Sequence, residues 1–150
     1  MIKIRRSISI DAPLDKVFSF MTNPDKLPEI WPSMVEVGNV KTQRGGGHSF
    51  DWVYKMAGAK FKGRTETTEV VENDHYVVKN EGQIPSTFRW TFEGEDGHTK
   101  VSMECDYDIP SSLLAKVARP FIERLNEHEA RVVLDNLKVR MEIEIGRAHV

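Results

Sequence analysis

The chain of 150 residues holds a single cysteine, Cys105, so neither an internal disulfide nor a thiolate metal cluster can form within it. It lacks any apolar run approaching the roughly 18 residues of a membrane span. The opening MIKIRRSISID carries no apolar core of a cleavable leader, and the sequence reads as soluble and cytoplasmic. There is no basic excess either. With 21 Lys+Arg against 23 Asp+Glu the net charge is −2, which disfavours broad nucleic-acid binding. No Gly-x-Ser-x-Gly elbow, phosphate loop, His-Glu-x-x-His or paired-cysteine motif occurs, so neither a metal nor a cofactor is expected. His48, His75, His98, His128 and His149 are scattered, and His75 and His98 sit beside turn residues. Glycine clusters only at Gly45, Gly46 and Gly47, where no helix N-terminus follows to complete a phosphate cradle.

What the chain does have is an ordinary globular composition, 39% apolar and 29% charged. Its length suits one domain, residues 1–150, which buries roughly 70% of the surface its unfolded form exposes. Charge is uneven: residues 1–64 hold 11 Lys+Arg and 6 Asp+Glu, net +5, and residues 65–150 hold 10 and 17, net −7. Both halves interleave charged with apolar positions, as solvated faces of strands and helices do.

Ile2, Ile4, Ile8 and Ile10 alternate with polar residues, the period of a half-buried strand. Arg6 interrupts the stripe and needs either a carboxylate or anion, or a bulge or strand end that lets it reach water. Asp11-Ala-Pro-Leu reads as an N-cap with Pro13 in the first turn of a helix ending by Asn23. One more short turn over 25–30 follows. Alternation then predicts strands over 35–41, 49–56, 60–71, 76–80, 87–93 and 100–108, with turns at Gly58, Asn73-Asp74 and Asp96-Gly97. Past Pro110, Ser111 or Ser112 caps a helix running to about Glu144, some 45 Å long and bent at Pro120, which outruns the predicted strands. Leu114, Ala118, Phe121, Leu125, Val132, Val139 and Ile143 fall on one line of its wheel. A second line through Val133, Leu137 and Met141 means that the buried face rotates or that the far end meets a partner.

The order strand, short helices, about six antiparallel strands and a long helix, with Ser9-Ile-Asp-Ala-Pro-Leu-Asp-Lys-Val-Phe18 entering the first helix, resembles the START-like or Bet v 1-like (SRPBCC) superfamily. In detail it is similar to the polyketide cyclase/dehydrase and lipid transport branch. Asn23-Pro-Asp with Trp31-Pro, Met56-Ala-Gly ahead of Lys60-Phe-Lys-Gly, and Tyr107-Asp-Ile-Pro support the match. The resemblance implies an α+β helix-grip fold, a curved antiparallel sheet of about seven strands wrapped around the C-terminal helix with a cavity between them. It also places strand 1 beside the last strand, setting Lys3 and Arg5 opposite Glu104, Asp106 and Asp108.

Nine of the 13 aromatics fall between residues 50 and 107, and parity turns Phe50, Trp52, Tyr54, Phe61, Phe88, Trp90, Phe92 and Tyr107 inward. They either fill the core or wall a cavity suited to a hydrophobic ligand with one or two polar groups. Trp52 and Trp90 offer indole donors, Tyr54 and Tyr107 phenols, Thr65 and Thr67 hydroxyls, and Gly63 leaves room between them. His128 lies near the helical line of Leu125 and is either satisfied by a neighbour or a ligand contact. Cys105 points inward as a core thiol. The candidate ligand-binding set is therefore Trp52, Tyr54, Phe61, Thr65, Phe88, Trp90, Tyr107, Phe121, Leu125 and His128.

The leading expectation is a carrier of a hydrophobic small molecule: a lipid, isoprenoid or aromatic polyketide-like compound. A second is a cyclase or dehydratase in which Tyr54, Tyr107, His128 or Arg6 moves a proton. A third is a protein-interaction module, or a homodimer through the end of the C-terminal helix, using Leu134, Leu137 and Met141.

Overall fold

The computed structural model describes residues 1–148, with side chains described for residues 1–144. Strands β1 (Ile2–Ile10), β2 (Met34–Thr42), β3 (His48–Met56), β4 (Ala59–Val71), β5 (His75–Gly82), β6 (Ser86–Glu95) and β7 (His98–Tyr107) form one antiparallel sheet in the order β1-β7-β6-β5-β4-β3-β2. Each lies within two or three residues of the segment that alternation predicts. Helix α1 (Leu14–Met21) and a 3-10 helix (Pro24–Glu29) follow β1, and α2 (Ser111–Leu114) and α3 (Arg119–Ala148) follow β7. This is the curved seven-stranded sheet with a long C-terminal helix of the helix-grip fold.

Turn chemistry sets the meander. Ala57-Gly58 and Asp96-Gly97 each have positive φ at both residues (49° and 81°, 45° and 83°), the primed turn that matches strand twist. In β1, Lys3 faces Asp106 at 4.0 Å and Arg5 faces Glu104 at 3.5 Å across the β7 ladder, on the exposed side. Arg6 sits in regular register with Met103, and its guanidinium reaches Glu127 on α3 at 3.6 Å. Without a bulge, the 38% exposed Arg6 side chain thus reaches both water and a carboxylate on the helix.

Two helix starts differ from expectation. Pro13 rather than Asp11 occupies the N-cap of α1, and Pro110 rather than a serine precedes α2, neither with a side-chain cap bond. The C-terminal helix is also not continuous from Ser111. It breaks over 115–118 and restarts at Arg119, so that Pro120 lies in the first turn of α3, where its missing N–H costs nothing, instead of bending the interior. At 30 residues α3 is about 45 Å long, slightly more than the roughly 43 Å of the 13-residue β4 and well beyond the other strands, so the helix outruns the strands as expected.

Of the two apolar lines along α3, the second is the buried one. The inward line of α3 is Ile122, Asn126, Ala130, Val133, Leu137 and Met141, with Ile122, Val133 and Leu137 fully buried. Phe121, Val139 and Ile143, which the continuous wheel turns inward, are 49%, 55% and 51% exposed. Leu134, Leu137 and Met141, expected as a partner surface, pack inside the same chain at 2%, 0% and 1% exposure, so those side chains are not available to a partner. Helix α1 buries Val17, Phe18, Phe20 and Met21 over one end of the sheet. Among the described residues no helix is long and apolar enough to cross a membrane.

Candidate functional site

Register lines up the concave face in rows. Phe50, Thr65, Asn80, Ser86 and Tyr107 are successive cross-strand partners from β3 to β7. The next row is Thr67, Val78, Phe88, Cys105 and Ile4, and the one after it Val70, Tyr76, Trp90 and Met103. A bulge between Thr67 and Glu69 switches the parity of β4, which is why Val70 faces inward with Thr67. Between these rows, the 3-10 segment and α3 lies a cavity of about 130 Å³.

Aromatic rings wall it. Trp31, bracketed by Pro28 and Pro32, packs edge-on against Phe88 at 5.3 Å and Trp90 at 6.3 Å, and its Nε1 donates to Tyr54 Oη at 3.4 Å. Tyr76 stacks on Trp90 and Phe92, and its hydroxyl donates to the Met21 carbonyl at 3.3 Å. Burial pushes the Tyr54 and Tyr76 phenols well above their ordinary range, with Glu129 adding to the effect at Tyr54, so both are neutral. Burial likewise raises Cys105 to about 12, leaving an unreactive core thiol in the wall.

The polar groups form a transverse belt. Thr65 Oγ1 donates to Asn80 Oδ1, and Asn80 Nδ2 donates to Ser86 Oγ at 2.8 Å. From α3, Asn126 Nδ2 donates to Tyr107 Oη at 3.0 Å; burial still raises the Tyr107 phenol, with the Asn126 bond opposing it. Glu129 Oε1 accepts the Ser33 N–H at 3.0 Å, and Asn136 donates to the Ile30 carbonyl at 3.0 Å, together tying the 3-10 segment to the helix. One group is left over. Trp52 Nε1 is buried in the wall with no partner among the described residues, and an unpartnered buried donor costs roughly 1–3 kcal/mol. Gly63 accommodates its ring, since a Cβ there would lie 2.1 Å from Trp52 Cζ2.

Of the sequence candidates, Trp52, Tyr54, Thr65, Phe88, Trp90 and Tyr107 line the cavity. Phe61, opposite Tyr54 in the β3–β4 ladder, is buried but belongs to the core outside the lining. Phe121 and His128 are on the exposed side of α3, where His128 Nδ1 lies 3.0 Å from Arg131, and Leu125 is half-buried away from the cavity. All three follow from which apolar line of α3 is buried. Arg6, engaged with Glu127, is likewise outside the lining, and His149 lies outside the described residues. Sequence reasoning did not single out Trp31, Tyr76, Asn80, Ser86, Asn126 or Glu129. The spacing of Asn126 from Ile122 and Val133 was the available signal for the helix, and strand pairing the signal for Asn80 and Ser86. Among the described residues no group of three or more His, Cys, Asp or Glu is placed to hold a metal ion.

The geometry has close counterparts. The chain matches an aromatase/cyclase, Zhui, from a Streptomyces species with a TM-score of 0.79 at 12% identity, covering 96% of this chain and 95% of that one. A START superfamily protein from Mycobacterium smegmatis matches with a TM-score of 0.78 at 12% identity, covering 93% and 97%. The di-domain aromatase/cyclase StfQ of the steffimycin biosynthetic pathway matches with a TM-score of 0.77 at 16% identity, over 97% of this chain and 52% of that longer one. At these identities the likeness is one of fold. No curated protein matches the sequence significantly. The family model for polyketide cyclase/dehydrase and lipid transport covers residues 1–142, and the chain belongs to that family.

Proposed function

We propose that the protein binds a small, largely apolar molecule in the cavity between the concave sheet and α3, and carries it rather than transforms it. The observation that carries this reading is an apolar, aromatic-walled cavity between the sheet and α3 whose polar groups, Thr65, Asn80, Ser86, Tyr107 and Asn126, are bonded to one another. Its size narrows the ligand. About 130 Å³ lies below the roughly 300–1,000 Å³ of pockets for drug-sized ligands and near the ~150 Å³ of an engineered cavity that takes benzene. One ring with a short substituent fits this volume, and a lipid, isoprenoid or fused polyketide-like compound exceeds it. Native mass spectrometry of protein from its source, with tryptophan fluorescence titration against a lipophile panel, tests the reading. A bound species or a saturable response supports it, and neither overturns it.

A second reading, a cyclase or dehydratase acting in the same cavity, is favoured by one residue. Among the described residues Glu129 is the carboxylate in the lining, and it lies close enough to Tyr54 to disfavour its phenolate. If it acts as a general base, Glu129→Gln lowers turnover of a β-polyketone analogue by about 10²–10⁴-fold, the usual contribution of such a group. A carrier shows no turnover to lose.

A further inference from the structure

We infer that two copies of this chain pair through the outer face of α3, helix against helix and antiparallel, about a two-fold axis at residues 132 and 133. The face turned away from the cavity carries two stripes. One is apolar: Phe121, Leu125, Val132, Val139 and Ile143 fall within about 40° of one another on the helical wheel. Phe121, Val139 and Ile143 are about half exposed, and a line of exposed apolar side chains marks an interaction surface. The stripe beside it is charged. Arg124, Arg131, Asp135 and Glu142 also fall within about 40° of one another, basic in the first half and acidic in the second. Arg124, Arg131 and Asp135 are exposed, and among the described residues none of the three has an ion-pair partner. Charges at the margins of the helix are already engaged, Glu127 with Arg6, Arg119 with Glu123 and Arg140 with Glu29.

The two stripes complement themselves. A two-fold axis across an antiparallel helix pair brings each flank against the same flank of the partner, so apolar stripe meets apolar stripe and charged meets charged. With the axis at residue 132, Phe121 stands level with the partner's Ile143, Leu125 with the partner's Val139, and Val132 with its own copy. One residue further along, a shift of about 1.5 Å that arginine side chains easily span, Arg124 stands level with the partner's Glu142 and Arg131 with the partner's Asp135. The symmetry makes each of these pairs twice. A parallel partner would set like charges together, so the charge order selects the antiparallel arrangement. It also favours a second copy over an anionic lipid surface, which Asp135 and Glu142 repel. From Phe121 to Ile143 the seam is about 33 Å long and one helix wide. That lies toward the lower end of specific interfaces, near about 1,200 Å², and suits association in roughly the micromolar range.

Sedimentation velocity of the full chain over about 5–500 μM tests the pairing, on the wild type and on Asp135→Arg and Arg131→Asp. Both substituted sites are exposed, and melting curves check that the variants fold. The wild type is expected to pass from monomer to dimer across the range. Each variant alone sets like charges level at two places and should self-associate at least about tenfold more weakly. An equimolar mixture of the two variants again holds opposite charges at both places, so the mixture should recover the dimer that neither forms alone. Val139→Lys leaves the charged stripe untouched and puts a charge into the apolar one. It is expected to weaken the dimer by a similar factor, and with the wild type it decides the matter should a charge variant not fold. A wild type that stays monomeric throughout overturns the inference, including one that sediments instead with phosphatidylglycerol vesicles. So does a dimer that all three substitutions leave intact, or a mixture of the two folded charge variants that remains monomeric.

Discussion

A methyl group added at Gly63 would stand 2.1 Å from Trp52 Cζ2 and 2.5 Å from the Glu81 carbonyl oxygen, and neither a packed indole nor a ladder carbonyl can retreat far. Gly63→Ala is expected to destabilise the fold by about 1–3 kcal/mol, read as a lowered urea midpoint at unchanged slope. Sequence alone shows a gap at this position. That the gap belongs to Trp52 depends on the pairing of residue 52 with residue 63, a property of register rather than of either residue. His75, on the outer face, carries a prediction of a different kind. Its ring lies between Asp74 and Glu69, with Nε2 2.8 Å from Glu69, and the two carboxylates hold its protonation above the ordinary histidine range. A value raised by folding stabilises fully below the unfolded value of about 6.5 and is lost as pH rises through the folded one. The Tm difference between wild type and His75→Gln should therefore favour the wild type more at about pH 6 than at about pH 8.5.

At the scale of elements, α3 separates what periodicity can show from what it cannot. The helix was legible, and so were the strands, because alternation with period two survives a residue or two of boundary error. The choice of inward face was not: α3 carries two apolar lines, the longer through Phe121, Leu125, Val132, Val139 and Ile143 and the shorter through Val133, Leu137 and Met141, and the structure buries the shorter one. The true line also passes through Asn126, a polar residue that a count of apolar positions skips, yet one whose amide bonds Tyr107 inside the cavity. The buried line is checked by a pair of truncations. Leu137→Ala, at a site with 0% exposure, is expected to cost about 2–5 kcal/mol, and Val139→Ala, at 55%, to stay within about 0.5 kcal/mol in the same denaturation assay.

Across the whole molecule, the cavity exists because the roof is pinned at its margins and left open in the middle. Polar ties hold the helix at the Ser33–Glu129, Ile30–Asn136 and Ser9–Lys138 contacts, while the small side chain of Ala130 faces the void. Ala130→Leu places apolar volume there. It is expected to raise thermal stability, by about 0.5–2 kcal/mol, and to weaken apolar ligands more than about tenfold, a trade measured by melting and calorimetry on one preparation. The outer strand β2 has a consequence of its own. It closes one rim of the sheet, its ladder is interrupted between Met34 and Glu36 and again between Gly38 and Lys41, and Asn39 turns with φ of 51°. At the other rim, β1 projects Lys3 and Arg5. Neither border offers the straight, uncharged run of free peptide groups on which a neighbouring molecule adds a strand, so a protein built around one broad sheet is protected from growing into fibrils edge by edge.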